Sequence, residues 1–267
     1  MISVIISIYK ALDNLELILL ALERQSFKDF EVIIAEDDDS PQTIAFLHEA
    51  RARFPFSVLH VSQDDQGFRK CKILNKAIKI SKGEKLVFLD GDCLPHRHLL
   101  QQYNNVITNG SFFAGRRVML SKKLSTQIKQ TKNAGSLSFF TCLIYACKSL
   151  KRAIYLPFLT ERRNTGKRGL LGCNMGGTKH DIFAVNGFDE DYQLIAVGED
   201  SDLDWRLRAN GVQIKTVFYK CITYHLYHHT RWQDGVEEEA GKNRELMRRK
   251  QSAGLFFCRN GIKKQEN

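Results

Sequence analysis

The first third of the chain alternates between short apolar, β-branched runs and amphipathic segments, and this alternation constrains the fold more than any other feature. The apolar runs predict four buried strands, at residues 3–9, 30–35, 57–61 and 85–89. The amphipathic segments between them predict three helices, at residues 12–25, 43–53 and 70–81. Strands and helices in this repeated order are typical of a parallel sheet with right-handed crossover connections. The sequence therefore predicts an α/β fold.

The length and composition of the chain fit one large folded domain. Its 267 residues are 43% hydrophobic and 26% charged, a balance typical of folded soluble proteins. No apolar run approaches the ~20 residues of a membrane-spanning helix, and residues 1–7 lack the basic leader of a signal peptide. The seven cysteines have no paired spacing, so neither a disulfide framework nor a zinc site is indicated. These features predict a cytoplasmic protein.

The positive charge of the chain is concentrated in residues 116–168, which we call the basic segment. This segment has thirteen Lys and Arg residues and one acid, Glu161, for a net charge of +12, whereas the rest of the chain has a net charge of −2. Such a patch attracts polyanions, including an anionic membrane surface or a phosphorylated glycolipid. No pattern of a nucleic-acid-binding module accompanies it, so we expect no nucleic-acid partner.

Within the basic segment, apolar residues recur at helical spacing. They would form one face of a helix, made of Phe139, Leu143, Ala146, Cys147, Leu150 and Ile154. Lys148, Lys151 and Arg152 would lie mostly off that face. The pattern fits a helix that lies in a membrane interface, and it fits an ordinary surface helix that packs on the core equally well.

Acidic residues follow two of the four predicted strands. Asp37, Asp38 and Asp39 come after the second strand, and Asp90-Gly91-Asp92 comes after the fourth. Ligands of open parallel sheets gather at the carboxyl ends of the strands, and carboxylates beside buried strands are costly unless they bind something. Two hard oxygen ligands separated by a flexible glycine suit a divalent cation that also bridges a diphosphate, although a simple turn would also explain the tripeptide.

Taken together, these features resemble the inverting nucleotide-sugar glycosyltransferases of family 2, which have the GT-A fold. The resemblance is carried by six stretches in the expected order, at residues 36–40, 66–75, 90–95, 172–177, 186–190 and 198–207. It implies a mixed, mainly parallel sheet flanked by helices, with a basic helical insertion and a C-terminal helix. We expect a nucleotide-sugar-binding half at 1–115, the insertion at 116–168, an acceptor-binding and catalytic half at 169–235, and a charged helix and tail at 236–267.

The resemblance also implies which residues hold the donor, a UDP-sugar. The nucleotide-sugar contacts expected from it are Ser7, Tyr9, Asp37, Asp38, Asp65, Arg69, Lys72, Asn75, Asp90, Gly91 and Asp92. Which of the acids after the second strand meets the base stays open. Mn²⁺ or Mg²⁺ is expected on Asp92, with Asp90 near the ribose or the metal, and His225 or His228 completes the metal shell.

For catalysis, the resemblance points to the acids at the start of a helix predicted at residues 200–210. Asp200 is expected to be the base, and its neighbour Glu199 to orient the acceptor or the donor sugar. Acids also favour the first turn of any helix, so composition alone would not assign these roles. Asn174, Gly176 and Gly177 are expected on the side where the sugars bind.

The predicted function is therefore transfer of a hexosyl or N-acetylhexosaminyl group from a UDP-sugar to a hydroxyl of a glycan or glycolipid. This transfer would take part in the assembly of lipopolysaccharide, O-antigen or capsule on the inner face of the cytoplasmic membrane. A nucleotidyltransferase would need a glycine-rich basic loop after the first strand, and residues 8–12 contain no glycine. A catalytically silent glycan- or polyanion-binding module is the other alternative.

Overall fold

The computed structural model describes residues 1–163, 169–195, 198–229 and 236–264. The strands in the described residues are β1 (Ile2–Ile8), β2 (Phe30–Glu36), β3 (Ser57–Ser62), β4 (Lys85–Asp90), β5 (Cys93–Pro95), β6 (Ser111–Ala114), β7 (Arg116–Met119), β8 (Arg162–Arg163), β9 (Asn174–Thr178), β10 (Gln213–Thr216) and β11 (Ile222–His225). The helices are α1 (Leu12–Glu23), α2 (Pro41–Arg53), α3 (Lys70–Ile80), α4 (Leu99–Val106), α5 (Lys122–Thr131), α6 (Phe139–Ile144), α7 (Lys179–Ala184), α8 (Glu199–Ala209) and α9 (Val236–Ser252).

The larger sheet confirms the predicted α/β fold. Its strand order is β3-β2-β1-β4-β9-β6-β10-β8, and the four strands predicted from the start of the chain are the parallel half of it. Strand β1 lies between β2 and β4, with Ile8 beside Glu36 and Ser7 beside Asp90. This register places the two predicted acid clusters at the same edge of the sheet, one on each side of β1.

The other half of the sheet mixes strand directions, which agrees with the mixed sheet that the resemblance implied. Strand β9 runs antiparallel between β4 and β6, whereas β10 runs parallel to β6. Two apolar clusters, one on each face of the sheet, form the core and bury the helices against it. Because β9 lies next to β4, the chain that follows the basic segment returns to the middle of the sheet.

A second, three-stranded sheet brings a distant part of the chain to the end of β4. Strand β11 pairs antiparallel with β5 and parallel with β7. In this pairing His225 lies opposite Cys93, and the amide of Leu226 donates a hydrogen bond to the carbonyl of Asp92 at 2.9 Å. Backbone pairing therefore holds the residues after β11 beside the Asp90-Gly91-Asp92 turn.

The basic segment differs from its predicted form. The single helix predicted from the apolar spacing is wrong, because α6 ends at Ile144 and a separate 3-10 helix spans Leu150–Ala153. Between them Ala146 and Ser149 adopt positive φ values, and Lys148 exchanges two backbone hydrogen bonds with Met119 of β7. Because the backbone N–H and C=O of Lys148 pair with β7, they are not available for the hydrogen bonds of a continuous helix. Within the described residues, no helix combines the length and hydropathy needed to cross a bilayer.

A buried ion pair fixes α8, the helix that begins with Glu199. The side chains of Arg206 and Asp202 are fully buried, and Arg206 Nε donates to Asp202 Oδ2 at 2.6 Å. The same guanidinium donates to the carbonyls of Val185 and Gly187 at 2.8 and 2.9 Å. Burying a charge is costly unless it is paired and hydrogen-bonded, and here three acceptors bind Nε and Nη1, whereas Nη2 has no partner among the described residues. The pair therefore ties α8 to the turn after α7.

We expect Arg206→Met to destabilise the protein by about 3 to 5 kcal/mol, because it leaves Asp202 buried without its partner. The measurement is the free energy of unfolding in denaturant. Combining Arg206→Met with Asp202→Leu should recover part of the loss, since no unpaired charge then remains. Arg208→Met is the control, because the partly exposed pair of Arg208 with Asp204 should be worth less than about 1 kcal/mol. Equal losses in the two single variants would contradict the role of the buried pair.

Candidate active site

A cleft opens at the carboxyl edge of the parallel strands. Two adjoining cavities, of about 450 and 660 Å³, share Ser7, Tyr9 and Asp92 in their walls. The first cavity also contacts Asp37 and Asp90. Six of the predicted nucleotide-sugar contacts thus line these adjoining cavities, because Gly91 lines the second one.

Gly91 is required by the close packing of the turn against β1. A Cβ atom at this position would lie 2.9 Å from the carbonyl oxygen of Ser7 and 2.9 Å from a methyl carbon of Ile8. Any other residue would therefore push the turn away from the sheet. The close approach lets Asp90 and Asp92 leave the strand in different directions.

Asp92 lies against two imidazoles. Its Oδ2 is 3.2 Å from His225 Nε2 and 3.3 Å from His228 Nε2, and the ligand atoms of the three residues lie within 4.8 Å of one another. Burial opposes ionisation of Asp92, but its hydrogen bonds with His225 and His228 hold the pKa of the carboxyl well below its usual range. His225 is buried and its Nδ1 has no partner among the described residues, whereas His228 is half exposed.

This group fits a divalent cation. One carboxylate and two imidazoles lie within reach of a common point; carboxylates suit Mg²⁺ and Mn²⁺, and imidazoles are ligands of divalent transition-metal ions. Both histidines proposed from the sequence converge on Asp92, so the structure brings the two alternatives together. Asp90 does not join them, because its Oδ1 contacts Lys70 and Ser7 instead.

Lys70 connects the end of β4 to the start of α8. Its Nζ lies 2.7 Å from Asp90 Oδ1 and 3.2 Å from Glu199 Oε1, and its side chain is 15% exposed. Burial alone would lower the pKa of Lys70, but the charges of Asp90 and Glu199 outweigh it, so the pKa lies well above the usual value. The lysine is therefore a fixed positive charge between two acids from distant parts of the chain.

Glu199 and Asp200 point to different partners, as expected for neighbours at a helix start. Burial raises the pKa of Glu199 although Lys70 opposes this rise, and the charge of Asp200 adds to it. Asp200 Oδ2 accepts a hydrogen bond from the amide of Gly172 at 3.2 Å, and its Oδ1 accepts one from Ser201. Glu199 thus faces Lys70, and Asp200 faces the turn before β9.

Asp37 is the acid of its cluster that reaches the cleft. It is buried, and its two oxygens accept hydrogen bonds from Gln63 Nε2 at 2.7 Å and from the amide of Arg69 at 2.8 Å. Asp38 is half-buried, and it accepts a hydrogen bond from the amide of Asp39. Asp37 therefore ties the end of β2 to the start of α3.

The family assignment rests on a comparison of the whole sequence. The model of Glycosyl transferase family 2 matches residues 3–173, which is more than half of the chain. The chain belongs to glycosyltransferase family 2. A curated relative, the validoxylamine A glucosyltransferase of Streptomyces hygroscopicus, is 24% identical over 233 residues. The match covers 79% of this chain and 52% of the relative, so the chain spans about half of that protein's length.

Solved structures share the fold of this family 2 chain. Residues 1–349 of TarS of S. aureus, solved with UDP, match with a TM-score of 0.61 and 17% identity over 92% of this chain and 64% of that fragment. The mannosyltransferase PcManGT of Pyrobaculum calidifontis, solved with GDP-Man and Mn²⁺, matches with a TM-score of 0.60 and 15% identity over 94% of this chain and 64% of PcManGT. At these identities the likeness concerns the fold, and it confirms the GT-A fold that the resemblance implied.

Four predicted site residues lie in the core rather than in the cleft, which corrects their expected contacts. Asn75 is buried and exchanges hydrogen bonds with the backbone of Phe188, at 2.8 and 2.9 Å. Asn174 is fully buried, accepts from Tyr103 and donates to main-chain carbonyls of neighbouring strands.

Gly176 and Gly177 are the other two of these residues, and both lie inside β9. A Cβ atom on Gly176 would lie 3.0 Å from the Tyr103 ring, and one on Gly177 would lie 2.1 Å from Phe112. These glycines therefore serve close packing of the sheet. A contact of either residue with a sugar does not fit its buried position.

Three further predicted contacts lie at the margin of the cleft or beside it. Asp65 accepts hydrogen bonds from Tyr9 Oη at 3.1 Å and from Lys10 Nζ at 2.7 Å, at the outer end of β1. Arg69 and Lys72 line a separate polar pocket, and the Arg69 guanidinium bonds to the carbonyl of Asp64. The structure therefore groups these side chains around the loop before α3.

Lys70 is the cleft residue that sequence reasoning missed. The resemblance predicts its neighbours Arg69 and Lys72 as nucleotide-sugar contacts, because they lie in a basic helix start. Nothing in the sequence distinguishes one cation there from another. Only the fold shows that Lys70 meets Glu199, which follows it by 129 positions.

We expect Lys70→Met to lower the free energy of unfolding by about 1.5–3 kcal/mol, because it removes hydrogen bonds between charged groups. Asp90 and Glu199 would then repel each other without a cation between them. The measurement is the free energy of unfolding in denaturant. Lys70→Arg, which keeps the charge, should lose less stability, and Lys72→Met is the matched control. Equal losses in Lys70→Met and Lys72→Met would count against a special role of Lys70.

Proposed function

We propose that this protein is an inverting glycosyltransferase that moves a sugar from a UDP-sugar to a hydroxyl group with the help of a divalent cation. The observation that carries the proposal is a pair of contacts at the cleft: Asp92 meets two imidazoles, and Lys70 joins Asp90 to Glu199, the neighbour of Asp200. Membership of family 2 and the shared fold support a nucleotide-sugar donor. The identity of the sugar is left to experiment.

The donor would occupy the cleft along the carboxyl ends of β1, β2 and β4. Asp37 reaches this cavity, with Asp38 as the alternative, so we assign recognition of the base to this cluster. Ser7, Tyr9 and Gly91 would line the path of the nucleotide toward Asp92. Two structural neighbours, TarS with UDP and PcManGT with GDP-Man, were solved with nucleotide ligands, which supports this placement.

Asp92, His225 and His228 would hold the cation, either Mn²⁺ or Mg²⁺. A bound cation would act as a Lewis acid and offset the negative charge of the leaving diphosphate. The structural neighbour PcManGT was solved with Mn²⁺, and imidazole ligands favour Mn²⁺ over Mg²⁺. We therefore test Mn²⁺ first.

The transfer step would break the bond between the anomeric carbon and the phosphate oxygen and form a bond from that carbon to the acceptor oxygen. Asp200 would take the proton of the attacking hydroxyl. Attack opposite the leaving group inverts the anomeric carbon through an oxocarbenium-like state. Glu199, held by Lys70, would orient the donor or acceptor sugar beside the base.

The acceptor we propose is a lipid-linked or surface glycan of the lipopolysaccharide, O-antigen or capsule type. The net charge of +12 in residues 116–168 supports this choice, because it would attract a phosphorylated glycolipid or the anionic inner face of the cytoplasmic membrane. Part of this charge, at residues 164–168, lies outside the described residues.

Asp92→Ala should abolish metal-dependent nucleotide binding, because it removes the carboxylate of the proposed cation site. Titrating UDP by calorimetry with and without Mn²⁺ should show affinity enhanced by the metal in the unmodified protein and a loss of about 10-fold or more in the variant. Glu49→Ala, which removes an exposed acid on α2, is the control. A binding module without transferase chemistry would show no metal-dependent UDP binding in any of these proteins, which would refute the proposal.

Asp200→Asn should bind UDP normally and transfer sugar about 100-fold more slowly or worse, because an amide cannot accept the proton of the hydroxyl. The measurement is turnover of UDP-sugars with manganese present, paired with UDP affinity. Glu238→Gln, an exposed acid-to-amide change on α9, should leave both quantities unchanged. Near-normal turnover in Asp200→Asn would remove this residue as the base.

A further inference from the structure

Helix α6 of the basic segment presents an apolar face to solvent. Phe140, Leu143 and Ile144 are 72%, 53% and 79% exposed, and they occupy positions i, i+3 and i+4 of the helix. Residues at this spacing lie side by side on one helix face. Single exposed apolar residues are common on protein surfaces, but three large ones grouped on one short helix mark an interaction site.

The other side of α6 is fixed to the protein. Cys142 is buried, and Phe139 packs against the larger apolar cluster of the core. Tyr145, directly after the helix, donates a hydrogen bond to Gln127 of α5 at 2.6 Å. The exposed face is therefore held outward by a firmly attached helix, and it is not part of a loose chain end.

Exposed lysines lie close to α6 in the fold or in the chain. Lys123 of α5 lies 5.7 Å from the centre of the Tyr145 ring, and Lys148 and Lys151 follow the helix in the chain. All three are exposed, and no carboxylate of the described residues forms an ion pair with them. An apolar surface close to unpaired cations is complementary to an anionic bilayer, whose headgroups attract the lysines while its acyl region accepts the apolar side chains.

Helix α5 connects this face to the cleft. Ser125 Oγ accepts a hydrogen bond from the amide of Tyr227 at 2.8 Å, next to His228 of the proposed cation site. Lys129, one turn further along α5, lines the larger cavity together with His228 and Asp92. Helix α5 therefore contacts both the residue that follows α6 and the metal end of the cleft.

We propose that Phe140, Leu143 and Ile144 insert into an anionic phospholipid bilayer and that the nearby lysines bind its phosphate headgroups. The inference rests on the proposed transfer to a lipid-linked acceptor, because it names the surface that would bring the cleft to such an acceptor. The proposed surface shares only Leu143 with the apolar face predicted from the sequence, for which a membrane interface and packing on the core fitted equally well. A second copy of the chain on this face is the competing occupant.

The test is flotation of the full chain with vesicles of phosphatidylcholine alone or mixed with phosphatidylglycerol, at low and high salt. The unmodified protein should float with the anionic vesicles. The triple variant F140S/L143S/I144S should lose about 10-fold or more of this binding at both salt concentrations, because the loss of apolar area is not screened. K148Q/K151Q should weaken binding at low salt only, since salt screens these charges.

Ile44→Ser is the matched control, because Ile44 is 50% exposed on α2, outside the basic segment. It should float like the unmodified protein. Ile144→Ser alone serves as a milder variant, and thermal unfolding of each variant checks the fold. Flotation of the triple variant equal to that of the control, or no flotation of the unmodified protein, would overturn the proposal.

Two further measurements separate this inference from the proposed function. UDP titration with Mn²⁺ should be unchanged in the triple variant, because α6 lies outside the cleft. If UDP binding fails in every protein while flotation behaves as expected, the transferase proposal fails and the docking surface stands. If sedimentation shows that the unmodified chain is a dimer and the triple variant a monomer, the face is an interface between copies, and membrane docking is overturned.

Discussion

The positive charge of Lys70 holds together the acids that the sheet gathers at one edge. Asp90 ends a buried strand and Glu199 begins a helix more than a hundred positions later, and each would repel the other in a partly buried cleft without a cation between them. The lysine satisfies both with direct contacts, so the two halves of the chain can meet around one cavity. Asp92, left free of this pairing by the turn at Gly91, can then face His225 and His228.

Buried polar groups place the helix and strands that surround this cavity. Arg206 and Asp202 fix α8 to the turn after α7, and Asn75 joins α3 to the backbone of Phe188. Asn174 has the same role between β9, β7 and the residue before β11, because its amide donates to the carbonyls of Arg116 and Cys221. The sequence predicts Asn75 and Asn174 as ligand contacts, whereas it does not predict Arg206 and Asp202 as site residues. The burial of all four indicates that they position other residues. Polar residues of a family pattern can thus be structural as readily as catalytic.

The basic segment combines two kinds of contact in one stretch of chain. Its backbone pairs with the smaller sheet through β7 and Lys148. Helix α5 contacts the loop after β11, so the segment supports the part of the cleft that contains His228. The pairing of Lys148 with Met119 interrupts the helix that the apolar spacing favoured. Cys142 and Cys147 are buried, whereas Phe140, Leu143 and Ile144 are exposed, so Leu143 of the predicted apolar face does not pack on the core.

The parallel half of the sheet can be predicted from the sequence alone, because β-branched runs and amphipathic segments alternate at intervals typical of crossover connections. The sequence also contains the acids at the strand ends and the family pattern in which Asp92, Glu199 and Asp200 lie, and these local signals predict one edge of the sheet as the site. Which polar residues enter the cleft and which support it is visible only in the folded chain, as Asn174 and Lys70 illustrate. The physical reason is that burial and pairing depend on partners far away in the chain, and local spacing contains no information about which of two neighbouring cations will meet a distant carboxylate.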